Sequence, residues 1–261
     1  MRINFFEEYP TEENMNKLEM VDWPATVLVA APSLSAFESI RSVYTSKYSH
    51  ITFGWWPTIP DSYWVSGFAT PLSLDRLFAE ITSKKQEDEL PILVDLELPR
   101  KKSLYFKNLF TITKNKKKIH NFFEEAPNHN VKVYTAEYPA LNNLFLRCWR
   151  MLGISPPFTL PHTKLIMCYT SMGEKSLGKK VWSRAKQFEK QFASLHPHRV
   201  GFGLGTIATG VSGDEPILSP EALIADLHWA KQTSAKEVFI FRLGGLNEVY
   251  VSTIKRMCGC T

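Results

Sequence analysis

Four acidic side chains stand where an enzyme could use them as acids, bases or nucleophiles. Asp95 and Glu97 lie two residues apart in an otherwise apolar segment, so a β-strand would point both toward the same face. Glu8 and Glu137 each end another apolar segment, and each begins the tripeptide Glu-Tyr-Pro. Acids in an apolar setting are costly unless they are hydrogen-bonded or functional. Their types and spacing favour acid–base or nucleophilic chemistry by paired carboxyl groups.

The segments that carry these acids alternate with stretches of helical periodicity, which is typical of parallel strands joined by crossover helices. Eight strands are predicted: Ile3–Glu8, Thr26–Ala31, Ile51–Trp55, Ile92–Leu98, Val131–Glu137, Lys164–Thr170, Val200–Ile207 and Val238–Leu243. Eight βα units in 261 residues predict a (β/α)8 barrel that forms one domain over residues 1–261. An open doubly wound sheet is the alternative, but no GxGxxG sequence follows the first strand.

Four positions carry the usual signals of a helix start. Thr11, Ser33 and Ser73 each have a hydroxyl that can cap the first turn. Ser219 does the same and is followed by proline, which is favoured at the first helical position. These signals place helices between the predicted strands, as the barrel requires.

The carboxyl ends of the strands form the mouth of such a barrel, where its active sites lie. The side chains predicted at this mouth are Glu8, Asp95, Glu97, Glu137, Tyr169, Thr206 and Arg242. The structural alternative is that Arg242 neutralises one or two of the acids in a buried ion-pair network. One arginine cannot pair with four carboxylates, so the surplus negative charge favours a functional site.

An aromatic segment, predicted as a long loop after the third strand, adds flat surfaces to this mouth. It contains three tryptophans and a tyrosine: Trp55, Trp56, Tyr63 and Trp64. Aromatic faces beside carboxylates suit sugar rings, whose C–H groups stack while their hydroxyls hydrogen-bond. These four residues, with Tyr169, Thr206 and Arg242, are predicted to bind substrate. The alternative is a loop whose tryptophans pack inward.

Two short sequences give the chain a resemblance to glycoside hydrolases, and in outline to the chitinase-like families. They are DLELP at Asp95–Pro99 and MCY at Met167–Tyr169. Those families end strand four with Asp-x-Glu, whose glutamate is the acid, and strand six with Met-x-Tyr-Asp. This chain has Leu90 and Leu93 where the fuller family motif has aspartates, and Thr170 after the tyrosine. The resemblance implies a glycoside hydrolase-like enzyme acting on a saccharide.

Glycoside cleavage needs one carboxyl group to protonate the leaving oxygen and a second to attack or to activate water. We predict Glu97 as the acid, with its pKa raised by burial and by Asp95. Glu137 is the predicted nucleophile, kept ionised by Arg242. Neighbouring strands lie about 4.8 Å apart, which suits the carboxyl separation of roughly 5 Å in retaining enzymes.

Glycines leave a second function open. The segment Gly201–Gly205 and the pair Gly244 and Gly245 fall at strands seven and eight, where barrels often hold phosphate with backbone amides. A metal-assisted lyase, isomerase or phosphodiesterase acting on a phosphorylated small molecule, with Mg²⁺ or Mn²⁺ on the acids, is therefore the alternative. A barrel that binds a ligand without catalysis is a third possibility. No cofactor is predicted for a glycoside hydrolase, and the seven histidines predict no zinc site.

The charge distribution predicts a small-molecule or oligosaccharide ligand rather than nucleic acid. The net charge is +5, and its most basic run, Lys114–Lys118, precedes the apolar face of a predicted helix. Such a run is typical of a solvated helix face.

The four cysteines show no CxxC pairing, and Cys258 and Cys260 are too close together for an ordinary disulfide. Free thiols, an acidic beginning of the chain and the lack of a long apolar run predict a cytoplasmic protein without a membrane partner.

Overall fold

The computed structural model describes residues 1–60, 62–83, 85–98, 103 and 109–259. Eight parallel strands close into a barrel in chain order. They are β1 (Arg2–Glu7), β2 (Ala25–Ala31), β3 (Ile51–Pro57), β4 (Leu90–Asp95), β5 (Val131–Glu137), β6 (Thr163–Met167), β7 (Val200–Gly205) and β8 (Glu237–Phe241). The predicted (β/α)8 barrel is confirmed, and each predicted strand overlaps an observed one.

Helices surround the barrel. In the described part of the chain they are α1 (Glu12–Asn16), α2 (Leu34–Thr45), α3 (Pro71–Thr82), α4 (Ile112–Glu125), α5 (Asn143–Leu152), α6 (Thr170–Leu177), α7 (Lys179–Leu195), α8 (Pro220–Lys231) and α9 (Glu248–Cys258). Short 3₁₀ turns occupy Lys17–Met20, Leu109–Thr111, Ala126–His129 and Leu243–Gly245. None of the described helices is long and apolar enough to cross a membrane.

The helix caps follow the sequence signals with one exception. Thr11, Ser33 and Ser219 accept hydrogen bonds from backbone amides in the first turns of α1, α2 and α8. The prediction at Ser73 is wrong by one turn, because Thr70 caps α3 and Pro71 takes its first position.

Apolar side chains pack on both sides of the barrel wall. The interior holds Phe6, Leu28, Ala30, Trp56, Leu93, Tyr134, Ala136, Leu165, Met167, Phe239 and Phe241. A larger cluster, which includes Phe5, Trp55 and Ile166, fills the layer between the strands and the helices. The strands are therefore buried on both faces, as parallel strands of a barrel must be.

Five predicted strands, the first, fourth, sixth, seventh and eighth, continue one to three residues too far. β6 ends at Met167 because the Cys168 amide turns back to the Ile166 carbonyl, 2.9 Å away, and α6 begins at Thr170. The predicted aromatic loop begins too early, since Trp55 and Trp56 belong to β3. Asp61, which falls within the predicted aromatic segment, and Pro99 and Cys260, which were named above, lie outside the described residues.

Candidate active site

Consecutive residues of a strand point to opposite sides of the barrel wall, which decides which acids reach the mouth. Asp95 is paired in register with Ala136, a residue of the barrel interior. Glu137 is paired with Ile166, which belongs to the outer layer. Glu8 and Asp95 therefore line the mouth, whereas Glu7 and Glu137 are packed outside the barrel.

A cavity of about 600 Å³ opens at the carboxyl ends of the strands. Its acidic lining residues are Glu8, Asp95, Glu97 and Glu215, and its aromatic ones are Phe6, Trp56, Trp64, Tyr138, Trp149, Tyr169, Trp182 and Phe241. The described residues that line it include no lysine, arginine or histidine. The cavity thus combines carboxyl groups with flat apolar surfaces and offers those groups no counter-charge from its described walls.

Asp95 and Glu97 sit side by side at the end of β4. Asp95 is 2% exposed, and its Oδ1 atom has no hydrogen-bond partner among the described residues. Burial, followed by the charges of Glu97 and Glu8, raises its pKa well above the usual range. Burial also raises the pKa of Glu97 to about 7, although the Tyr138 hydroxyl, 3.0 Å from Oε2, opposes the increase. This pair therefore holds protons at a pH where ordinary carboxyl groups have lost them.

Glu8 enters the cavity from β1 and is held in place by two donors. The Tyr63 hydroxyl donates to Oε1 at 2.5 Å, and the Val211 amide donates to Oε2 at 2.9 Å. Burial raises the pKa of Glu8, and these two hydrogen bonds oppose the increase. Glu8 is thus an oriented carboxyl group rather than a mobile surface acid.

The structure corrects the predicted environment of Glu137. Its carboxylate is 1% exposed and accepts two hydrogen bonds from Lys164 Nζ, at 2.8 and 2.7 Å, and one from Thr135 Oγ1 at 2.6 Å. Lys164 also donates to Ser155 Oγ at 3.0 Å. Glu137 is therefore part of a buried network outside the barrel and does not line the cavity.

The predicted pairing of Arg242 with Glu137 is wrong. Arg242 Nη1 lies 3.0 Å from Glu7 Oε1, and its guanidinium stacks 4.8 Å from the ring of Tyr9. Glu7 also accepts hydrogen bonds from the amides of Tyr9 and Gly244, at 2.7 and 2.6 Å. Arg242 thus closes the barrel wall beside the mouth and is not among the residues that line the cavity.

Only some of the predicted substrate-binding residues line the cavity. Trp56, Trp64, Tyr169 and Thr206 line the cavity. Trp55 points outward, stacks on the Phe37 ring and donates from Nε1 to the Ala31 carbonyl at 2.9 Å. Tyr63 is not among the residues that line the cavity, but its hydroxyl donates a hydrogen bond to Glu8, which is.

Several lining residues escaped the sequence interpretation, among them Tyr138, Trp149, Trp182 and Glu215. The sequence does contain a pattern that indicates Tyr138. It follows Glu137 in the second Glu-Tyr-Pro, and because side chains alternate along a strand, one of these two residues must point into the barrel. Trp149 and Trp182 lie on α5 and α7, and Glu215 lies in the β7–α8 connection, so no strand pattern points to them.

The backbone amides of the two glycines near β8 donate hydrogen bonds within the protein. The Gly244 amide donates to Glu7, and the Gly245 amide donates to the Arg242 carbonyl at 3.0 Å. These amides are consequently not directed at a phosphate position. Within the described ranges, no group of three or more His, Cys, Asp or Glu side chains is arranged to hold a metal ion.

No protein-family model and no curated protein matches the sequence. Solved structures do match over nearly the whole barrel. A GH18 chitinase from Pseudoalteromonas aurantia has a TM-score of 0.60 at 9% identity, covering 98% of this chain and 100% of that chain. A chitinase from Rhizomucor miehei has a TM-score of 0.60 at 12% identity, with coverages of 98% and 100%.

A xylose isomerase domain protein from Planctomyces limnophilus has a TM-score of 0.53 at 10% identity, covering 99% of this chain and 98% of that chain. At such low identities, the likeness establishes a shared (β/α)8 fold and leaves function to the residues of the site.

Proposed function

We propose that this barrel, whose fold is shared with chitinases, is a carbohydrate-active enzyme that hydrolyses a glycosidic bond. The observation that carries the proposal is the pair Asp95 and Glu97, two adjacent carboxyl groups with raised pKa values that line an aromatic cavity. Protein acids with raised pKa values in a cleft are candidates for general acid catalysis. Aromatic walls beside them suit the apolar faces of sugar rings.

Glu97 is the proposed general acid. Its pKa of about 7 leaves much of it protonated at neutral pH, and the proton can pass to the leaving oxygen. Tyr138 Oη, bonded to Oε2, fixes the orientation of the carboxyl group. Asp95, the last residue of β4, lies beside it, and repulsion between two adjacent carboxylates favours a proton on the pair.

Glu8 is the proposed second carboxyl group. It replaces Glu137 in this role, because Glu137 is held by Lys164 outside the barrel. Tyr63 and Val211 orient Glu8 from behind, so its charge can stabilise the positive charge that develops on the sugar or activate a water.

Replacing the acid tests the proposal. Glu97→Gln should lower kcat for alkyl glycosides and oligosaccharides about 10²–10⁴-fold, as expected when a general acid is lost. The loss should be much smaller for nitrophenyl glycosides, because nitrophenolate departs without protonation. Glu124→Gln on the exposed face of α4 is the matched control.

The assay would use wild type and both variants with glucosides, xylosides and N-acetylglucosaminides, at pH values from 5 to 8. Equal rates for wild type and Glu97→Gln on the alkyl glycosides would refute the assignment of Glu97. Circular dichroism of each variant would show whether the fold is retained.

A further inference from the structure

The cavity wall between β4 and β7 differs in chemistry from the rest of the site. It contains the aliphatic side chains of Leu98, Pro139, Met172 and Leu177. Beyond Glu97, at the edge next to β4, no charged residue lines this arc within the described chain, and its hydroxyl-bearing residues are Ser176 and two tyrosines. Aliphatic side chains offer no hydrogen bonds to sugar hydroxyls, and an unpaired buried hydroxyl is costly.

The opposite side of the cavity is polar. Its polar residues are Glu8, which follows β1, and Thr206, Ser212 and Glu215 in the β7–α8 connection. Glu215 Oε2 is a buried oxygen without a hydrogen-bond partner among the described residues. Sugar hydroxyls could satisfy such oxygens, so this side suits the sugar that the proposed reaction releases.

The apolar wall starts at the proposed acid and reaches the protein surface. Tyr138, which donates to Glu97, lies 6.1 Å from the Trp149 ring, and Trp149 lies 6.2 Å from the Phe145 ring. Phe145 is 39% exposed and Leu177 is 46% exposed. A group attached to the leaving oxygen would follow this wall outward.

Helix α5, which carries Trp149 and Phe145, extends the apolar surface beyond the cavity. None of its ten residues is buried, and Leu144 and Met151 are 66% and 75% exposed. Exposed apolar side chains gathered beside a cavity mark a surface that contacts an apolar ligand. Methionine at such a surface adapts to flexible chains, since its own side chain is flexible and polarisable.

We propose that the leaving group of the substrate is an aliphatic chain, which makes the substrate class a glycolipid or alkyl glycoside. This inference rests on the proposed hydrolysis, which places the sugar on the acidic side and the leaving oxygen at Glu97. The chain lies along Leu98, Trp149, Met172 and Leu177, and leaves the cavity beside Phe145.

Binding of methyl, hexyl and octyl β-glucosides, below their micelle concentrations, tests the inference. Affinity measured by calorimetry should rise about fourfold for each methylene group that enters the apolar wall. A dissociation constant that stays flat from the methyl to the octyl compound would overturn it.

Two variants localise the effect. Leu177→Ser should flatten the dependence of affinity on chain length, because it removes apolar surface from the wall. Leu195→Ser, at the end of α7 and 75% exposed, is the matched control and should keep the dependence. An unchanged dependence in Leu177→Ser would place the chain elsewhere and contradict the inference.

Hydrolysis measured on the same compounds separates the two proposals. Binding that depends on chain length without hydrolysis would support the apolar wall and refute the proposed reaction. Hydrolysis whose kcat/KM is independent of chain length would support the reaction and overturn the aliphatic leaving group.

Discussion

Glu7 and Glu8 are neighbours in the sequence and lie in opposite environments. Glu7 packs outside the barrel, where Arg242 and the amides of Tyr9 and Gly244 surround its carboxylate. Glu8 lies inside the mouth, where Tyr63 and Val211 are its hydrogen-bond donors and Glu215 adds a like charge. Burial raises the pKa of both, so what separates them is the character of their neighbours.

In the second Glu-Tyr-Pro, the glutamate points out of the barrel and the tyrosine points in, which is the reverse of the first. Glu137 points outward to Lys164, and Tyr138 points inward to Glu97. In the first tripeptide, Glu8 points inward and Tyr9 stacks on Arg242 outside. The two copies of the tripeptide therefore differ by one residue in which side chain points into the barrel. Glu7 and Glu137, outside the wall, each pair with a cation, whereas Glu8, Asp95 and Glu97 line a cavity whose described walls carry none.

The largest effect is expected from breaking the outer pair of Glu137 and Lys164. Lys164→Met leaves a fully buried carboxylate unpaired and should lower the free energy of unfolding by about 3–5 kcal/mol. Denaturant unfolding measures the change. The double variant Lys164→Met with Glu137→Met should recover much of it, because an apolar pair can replace a buried ion pair. An equal loss in both variants would contradict the role of the unpaired charge.

A smaller loss is expected at the other outer pair. Arg242→Met should lower the free energy of unfolding by about 1.5–3 kcal/mol, because Glu7 keeps its two backbone amide donors. Arg76→Met, on the exposed side of α3, is the control and should change little. A loss as large as that of Lys164→Met would show that the amides contribute little.

The inner acids should behave in the opposite way. Because the pKa of Asp95 is raised in the folded state, the folded protein keeps a proton that the unfolded chain has released. Stability conferred by this site is therefore fully present below the unfolded-state pKa of about 3.9 and is lost as the pH rises through the folded pKa. Asp95→Asn removes the cost of keeping this proton and should raise Tm at pH 7 by about 2–4 °C for each kcal/mol gained.

The gain from Asp95→Asn should disappear below about pH 3, where the wild-type acid is protonated in both states because its unfolded-state pKa is about 3.9. Calorimetric scans of both proteins across this range measure it. A lower Tm for Asp95→Asn at pH 7 would place Asp95 with the stabilising acids of the outer wall.

The smallest effect is expected at Tyr138. Its hydroxyl favours the ionised form of Glu97, so Tyr138→Phe should move the pKa of Glu97 above about 7. The side-chain ¹³C chemical shift of Glu97 measures this directly, and the alkaline decline of kcat/KM should move the same way. Tyr44→Phe, on α2, is the control. A pKa that falls in Tyr138→Phe would reverse the assigned effect of the hydrogen bond.

Much of the fold could be predicted from local patterns. Apolar segments such as Val131–Glu137 alternate with capped helices such as the one that begins after Ser33, and this alternation is enough to predict parallel strands and a barrel. It also placed Asp95 and Glu97 on one face, because two residues of a strand at that spacing share a side.

The sequence alone determined that acids gather at the carboxyl ends of the strands; the tertiary structure decided which of them face the cavity. The reason is physical: β1 and β5 are buried on both faces, so no regular alternation of apolar and polar residues shows which face is inside. A shift of one residue exchanges Glu8 for Glu7, or Glu137 for Tyr138. Only the closed barrel, with Lys164 and Arg242 outside its wall, fixes that choice.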